Sequence, residues 1–116
     1  MRIFLACLCC AVATAGLAAR APAGKAFPAL LDEAMARMHR GMASAERIGD
    51  PDRDFVTSMI PHHQGAVDMA RGLLLHGKDP ALRRLAEGII ADQQTEIAYM
   101  RRWLEEHPRE QQEEHR

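Results

Sequence analysis

Twice in this chain an aspartate stands directly before a proline, at Asp50-Pro51 and at Asp79-Pro80, and each pair opens a run that reads as helix. The pairing has a physical logic. An aspartate carboxylate accepts the unpaired N–H groups at a helix start, and proline fits the first helical position, where its missing N–H is not needed. Gly49 breaks the chain before the first pair and Gly77 supplies a stop before the second. The spacing therefore predicts three helices: Pro28 to about Arg47, Pro51 to about His76, and Pro80 to about His107, with Pro108 ending the last. In the first, Pro28 suits an opening turn, and Asp32 and Glu33 favour the positive end of the helix dipole. No segment alternates with period two, so strands are not expected. Short loops make neighbouring helices antiparallel. The expected fold is all-α, a small up-down antiparallel bundle of three long helices. Three helices bury little, and a homodimer would complete a larger bundle.

Ahead of this unit, Arg2 and the apolar run IFLACLCCAVATAGLAA resemble a secretory signal, with small residues around position 21 for cleavage. The division is residues 1–21 as signal peptide, 28–107 as bundle and 108–116 as a polar tail. All three cysteines, Cys7, Cys9 and Cys10, fall inside the signal. The exported chain would then have no disulfide framework and no thiolate metal site, so any soft ligand must be methionine. The net charge of -1 argues against nucleic acid as a partner. After cleavage no membrane span is expected.

Seven methionines are present, and five of them lie between residues 35 and 69. At about 100° per residue, the stripe expected to face inward on the first helix holds Leu31, Met35, Met38, His39 and Met42. On the second it holds Phe55, Met59, His62, His63, Ala66, Met69, Ala70 and Leu73. On the third it holds Leu82, Leu85, Ala86, Ile89, Gln93, Glu96, Ile97, Met100, Trp103 and Leu104. A single methionine in such a stripe is usually core filler, and a single histidine is usually a hydrogen-bonded core residue. The combination is harder to explain by packing, because Met35 to Met42 has no Leu, Ile or Val on its stripe. Thioether and imidazole without thiolate select copper or silver; thioether prefers Cu(I), and imidazole accepts both copper oxidation states. One histidine of the His62-His63 pair can bind metal with Met59 or Met69. The other can pair with the first helix, or with Glu96, which would fix its tautomer. A di-iron site is not expected, because the inward faces lack Glu-x-x-His. Pro61 removes one helical hydrogen bond and crowds the Thr57 carbonyl. It either kinks the second helix or marks a late start to it.

The runs DRDFVTSMIPHHQGAVDMA and IIADQQTEIAYMRRWL, with the Met-x-x-Met-His-x-x-Met of the first helix, resemble a bacterial family of exported helical proteins catalogued as a domain of unknown function. The family is described as ferritin-like and includes a periplasmic copper-binding protein. The resemblance covers about Met35 to Leu104. It implies a periplasmic or secreted helical bundle that binds copper, or silver, for metal tolerance. It maps family positions onto Met35, Met38, His39, Met42, Met59, His62, His63, Met69 and Met100.

The expected function is thus an exported, non-enzymatic copper-binding protein. Met35, Met38, His39, Met42, Met59, His62, His63 and Met69 are the candidate ligands, with Gln93, Glu96 and Met100 standing behind them. Other copper-handling proteins are the expected partners. The alternative is a metal-free module whose methionine surface binds partner helices. An enzyme ranks last, since no nucleophile or paired carboxylates are visible.

Overall fold

Both aspartate–proline pairs do start helices. In the computed structural model, which describes residues 24–109, α1 is Phe27–Ser44, α2 is Pro51–His76 and α3 is Pro80–Glu106. No strand occurs among the described residues. The expected signal and its expected cleavage site lie outside them, as does most of the polar tail. The Asp50 carboxylate accepts from the Arg53 N–H, and that of Asp79 accepts from the N–H groups of Ala81 and Leu82. Among the described residues no helix is long and apolar enough to cross a membrane.

One local expectation needs correction, and the details of two others are now fixed. The first helix begins at Phe27 and stops at Ser44, so Asp32 and Glu33 fall in its second turn rather than at its positive end. Glu33 instead bonds Lys25 at 2.5 Å, with Arg37 at 3.9 Å. That bond, and then the two positive charges, hold its carboxyl below the usual carboxylate range. Helix α2 does stop at Gly77 as expected, but without a left-handed turn, since Gly77 has a φ of -70°. Arg83 binds the end of α2 there, donating from Nη1 to the carbonyls of Leu74 and Gly77. Lastly, Pro61 lies inside a continuous α2 and does not begin it.

The first loop is fixed by Asp54. Its carboxylate accepts the N–H groups of Ile48 at 2.8 Å and Gly49 at 3.0 Å. Gly49 has a φ of 83°, which a residue with a side chain rarely adopts. Thr57 adds a hydroxyl bond to the Glu46 carbonyl.

Helix α2 is the centre of the fold. Both α1 and α3 pack on it, and they do not pack on each other. The residues of α2 that meet α1 are Pro61, Gly65, Asp68 and Gly72. Those that meet α3 include Arg53, Val56 and His63. At about 100° per residue the two sets fall on opposite flanks of α2. The three helices thus form the expected small all-α bundle in an open form, a layer with two broad faces. One carries Phe55, Met59, His62, Ala66, Met69 and Leu73 from α2. The other carries Gln64, Asp68, Arg71 and Leu75.

Candidate metal-binding face

The seam between α1 and α2 is made by glycines. A methyl group added at Gly65 would lie 2.7 Å from the Met38 Cβ and 2.9 Å from its sulfur. One added at Gly41 would lie 2.6 Å from the Pro61 Cβ. Met38 thus sits on the bare backbone of Gly65, and Pro61 on that of Gly41. Ala34 is fully buried in the same seam. At its polar edge the Arg37 guanidinium donates to Asp68 at 3.0 Å.

These contacts also set the axial register. With Met38 on Gly65 and Gly41 on Pro61, Met35 comes level with Met69, and Met42 with His62, each to within one to two residues, about 1.5–3 Å. By helical angle, Met35 and Met42 lie on the side of α1 that continues the Met59, His62 and Met69 face of α2. Three candidate sulfur donors, Met35, Met42 and Met69, and the His62 imidazole therefore share a single face of the layer, with Met38 at its border.

The seam between α2 and α3 is different. Val56, Ile97 and Met100 form its core, with Met59, Ile60, Trp103 and Leu104 packed against them. His63 is buried at this seam with both ring nitrogens engaged. Nδ1 lies 2.9 Å from the Met59 carbonyl, and Nε2 lies 2.5 Å from a Glu96 carboxyl oxygen. A carbonyl only accepts, so Nδ1 is the donor. The Nε2 pair then needs one more proton, carried by the imidazole or by the carboxyl. Glu96 keeps over half of its side chain in solvent while it reaches this buried partner.

The sequence-derived ligands therefore separate into groups. Met35, Met42, His62 and Met69 belong to the shared face, and Met38 borders it at the glycine seam. Met59 leans toward α3, where it packs with Met100. His63 is occupied and would reach a metal only by releasing Glu96. His39 is exposed on the outer side of α1. Gln93 is half-buried on α3. The expectation that all three stripes point inward is corrected. Met35, His39, Phe55, His62, Leu82, Leu85 and Glu96 are exposed. The reason is that α1 and α3 stand apart, so the stripe between them faces solvent.

Sequence reasoning also missed structural residues. Val67, the one large side chain more than 98% buried among those described, was not on the expected stripe. Gly65 and Gly72 gave a usable signal, since glycine inside a helical pattern marks a close approach of backbones. Among the described residues no three His, Cys, Asp or Glu side chains gather as a metal cluster. The nitrogen and sulfur groups that do share a face are one imidazole and several thioethers.

The chain matches the model of the family named Domain of unknown function (DUF305) over residues 16–115, and it belongs to that family. It is also similar to "Uncharacterized protein L153" of Acanthamoeba polyphaga mimivirus, at 40% identity over 55 residues. That stretch is 47% of this chain and 36% of the viral protein, so the match spans about a third of the relative's length.

Proposed function

We propose that this member of the DUF305 family is an exported, non-enzymatic protein that binds copper as Cu(I), and Ag(I) by the same chemistry, for sequestration or tolerance in the periplasm or outside the cell. The supporting observation is that Met35, Met42, His62 and Met69 share one face of the layer, with Met38 at its border. Cu(I) takes few ligands and favours thioether and neutral imidazole, and this donor set fits it. Cu(II) could use His62, with less help from sulfur. The export proposal rests on the apolar N-terminal stretch, and a cysteine-free site suits an oxidising compartment.

Each residue has a part in this reading. Met35 and Met69 offer sulfur at one level of the face, and Met42 and His62 offer sulfur and nitrogen at another. Met38 adds a thioether held in place by Gly65. His63 binds no metal here. Its bond to Glu96 ties α2 to α3, and its bond to Met59 occupies the carbonyl one turn before it. That leaves the exposed His62 as the available imidazole. Copper, as cargo, would be passed to or received from other copper-handling proteins.

The test is a Cu(I) titration against a competing chromophoric chelator. Leucine at positions 35, 38 and 42 together should leave the helical circular dichroism unchanged, since Met-to-Leu exchange nearly conserves volume and typically costs under about 1.5 kcal/mol per site. It should weaken Cu(I) affinity by at least about tenfold, the equivalent of about 1.4 kcal/mol. Equal affinity in the variant would refute the ligand assignment. A second reading is favoured by the exposure of Phe55 and Tyr99, which are 61% and 66% accessible. It makes the chain a metal-free interaction module and requires that neither copper oxidation state compete with the chelator.

A further inference from the structure

The open face of the layer is apolar well beyond the candidate donors. A hollow of about 280 Å³ lies on it, lined by Phe27 and Leu31 of α1, Met69 and Leu73 of α2, and Leu85 and Ile89 of α3, among others, with no charged residue in its lining. At the other end a second hollow is lined by Asp52, Phe55, Val56, Tyr99 and Trp103. Leu85 is 57% accessible. The opposite face of α2 carries Gln64, Asp68 and Arg71 instead. One side of a three-helix layer is thus built like a core and left uncovered.

We propose that a second copy of this chain covers this face, layer against layer, about a twofold axis near the middle of α2. Two observations favour a second copy over an unrelated partner. The first is charge. A twofold axis brings the groups nearest to it against their own equivalents, so the centre of a face that docks on itself must avoid uncompensated charge. The α2 stripe from Phe55 to Leu73 has no Lys, Arg, Asp or Glu on this face, Glu96 beside it is already bonded to His63, and Asp52 stands at the end of the face, far from the axis. A face shaped for an unlike partner has no such restriction.

The second is area. From Phe55 to Leu73 the stripe rises about 27 Å at 1.5 Å per residue. Three helices packed 8–10 Å apart make a layer about 20–25 Å wide. The projected face is then on the order of 600 Å², and its accessible surface is larger. That approaches the roughly 800 Å² per partner of a standard stable interface. The interior of one copy is correspondingly poor: among the described residues its buried hydrophobic side chains larger than alanine are Val56, Val67, Ile97 and Met100. In this arrangement the centre of the α2 stripe falls between His62 and Ala66. The axis therefore brings the Met59-His62 half of one copy against the Ala66-Met69 half of the other.

The measurement is the solution mass of the full chain, as the cell processes it, by multi-angle light scattering with a copper chelator present. A mass of two copies at micromolar concentration is expected. Phe55→Glu and Leu85→Glu change exposed positions, so each should keep the helical circular dichroism and give one copy. Leu75→Glu, on the opposite face at 74% exposure, should leave the mass at two copies. A single-copy mass for the unaltered chain at 100 µM would overturn the proposal. So would a two-copy mass that survives both Phe55→Glu and Leu85→Glu, or one that needs added copper. A chelator-resistant dimer without copper affinity would leave this proposal standing and remove the copper reading. A monomer that binds Cu(I) would do the reverse.

Discussion

The two seams of this layer hold α2 by opposite means. Toward α1 the contact is of side chains on bare glycine backbone, with Gly41 under Pro61 and Gly65 under Met38. Toward α3 it is between large side chains, Val56, Ile97 and Met100, with the His63–Glu96 bond beside them. A glycine seam tolerates no added atom where it is tightest. A side-chain seam suffers most when atoms are removed. The difference matters for the candidate site, because the glycine seam brings the methionines of α1 level with His62 and Met69. The side-chain seam supplies the rigid support.

The largest effect is expected on the α3 side. Ile97→Ala should cost about 2–4 kcal/mol, because a buried side chain is lost and the surrounding core relaxes only in part. Urea unfolding followed by circular dichroism would read it. A loss under about 1 kcal/mol would mean that the core cluster contributes little to holding α3.

Next comes the tight point of the other seam. Gly65→Ala places a carbon 2.7 Å from the Met38 Cβ, so α1 must shift or Met38 must move. Overpacking costs about 1–3 kcal/mol, and the better helix propensity of alanine returns up to about 1 kcal/mol. A net loss of about 1–2 kcal/mol is expected, along with weaker Cu(I) binding if the seam positions the sulfurs. A stabilised variant would show that the helices are not in close contact there.

Gly72→Ala should go the other way. Its added carbon would meet the Phe27 ring at 3.6 Å and the Leu30 Cβ at 3.7 Å, an ordinary contact. Propensity then decides, and about 0.5–1 kcal/mol of stabilisation is expected. Opposite signs at Gly65 and Gly72 would show that one seam is tight at its middle and relaxed at its end. The same sign at both would remove that distinction.

The smallest effect lies at the start of α1. The Glu33 carboxyl is held low by its bond to Lys25. A group with a lowered folded-state pKa adds stability above its unfolded pKa, and that contribution fades as pH falls through the folded value. Lys25→Ala should therefore raise the Glu33 pKa toward its ordinary value. The change should be visible in an NMR titration between about pH 2 and 6, where carboxylates titrate. Because both groups are exposed, the melting temperature at neutral pH should hardly move. An unshifted titration would mean that the ion pair does not persist in solution.

Much of the fold was legible before any coordinates, because caps and stops are local chemistry. Asp50, Pro51, Asp79 and Pro80 act on N–H groups within a turn of themselves, so their meaning does not depend on distant residues. The Met/His stripe was legible for a related reason, since helical period alone puts Met59, His62 and Met69 on one face. The pairing of Glu96 with a histidine of α2 was also foreseeable, as an acidic group that interrupts an apolar stripe needs a partner. Choosing His63 over His62 required the angle at which α3 meets α2. That angle turns His63 into the seam and leaves His62 in solvent.

The chain by itself determined three antiparallel helices, their limits to within a few residues, and a face rich in thioether and imidazole. Each follows from interactions within one helix or across one short loop. Tertiary structure alone decided that α1 and α3 sit on opposite flanks of α2, so that the expected interior became an exposed face. Helical period shows which residues share a side. It cannot show how two helices divide the surface of a third, because that depends on close contacts such as Gly65 with Met38 and on bonds such as His63 with Glu96.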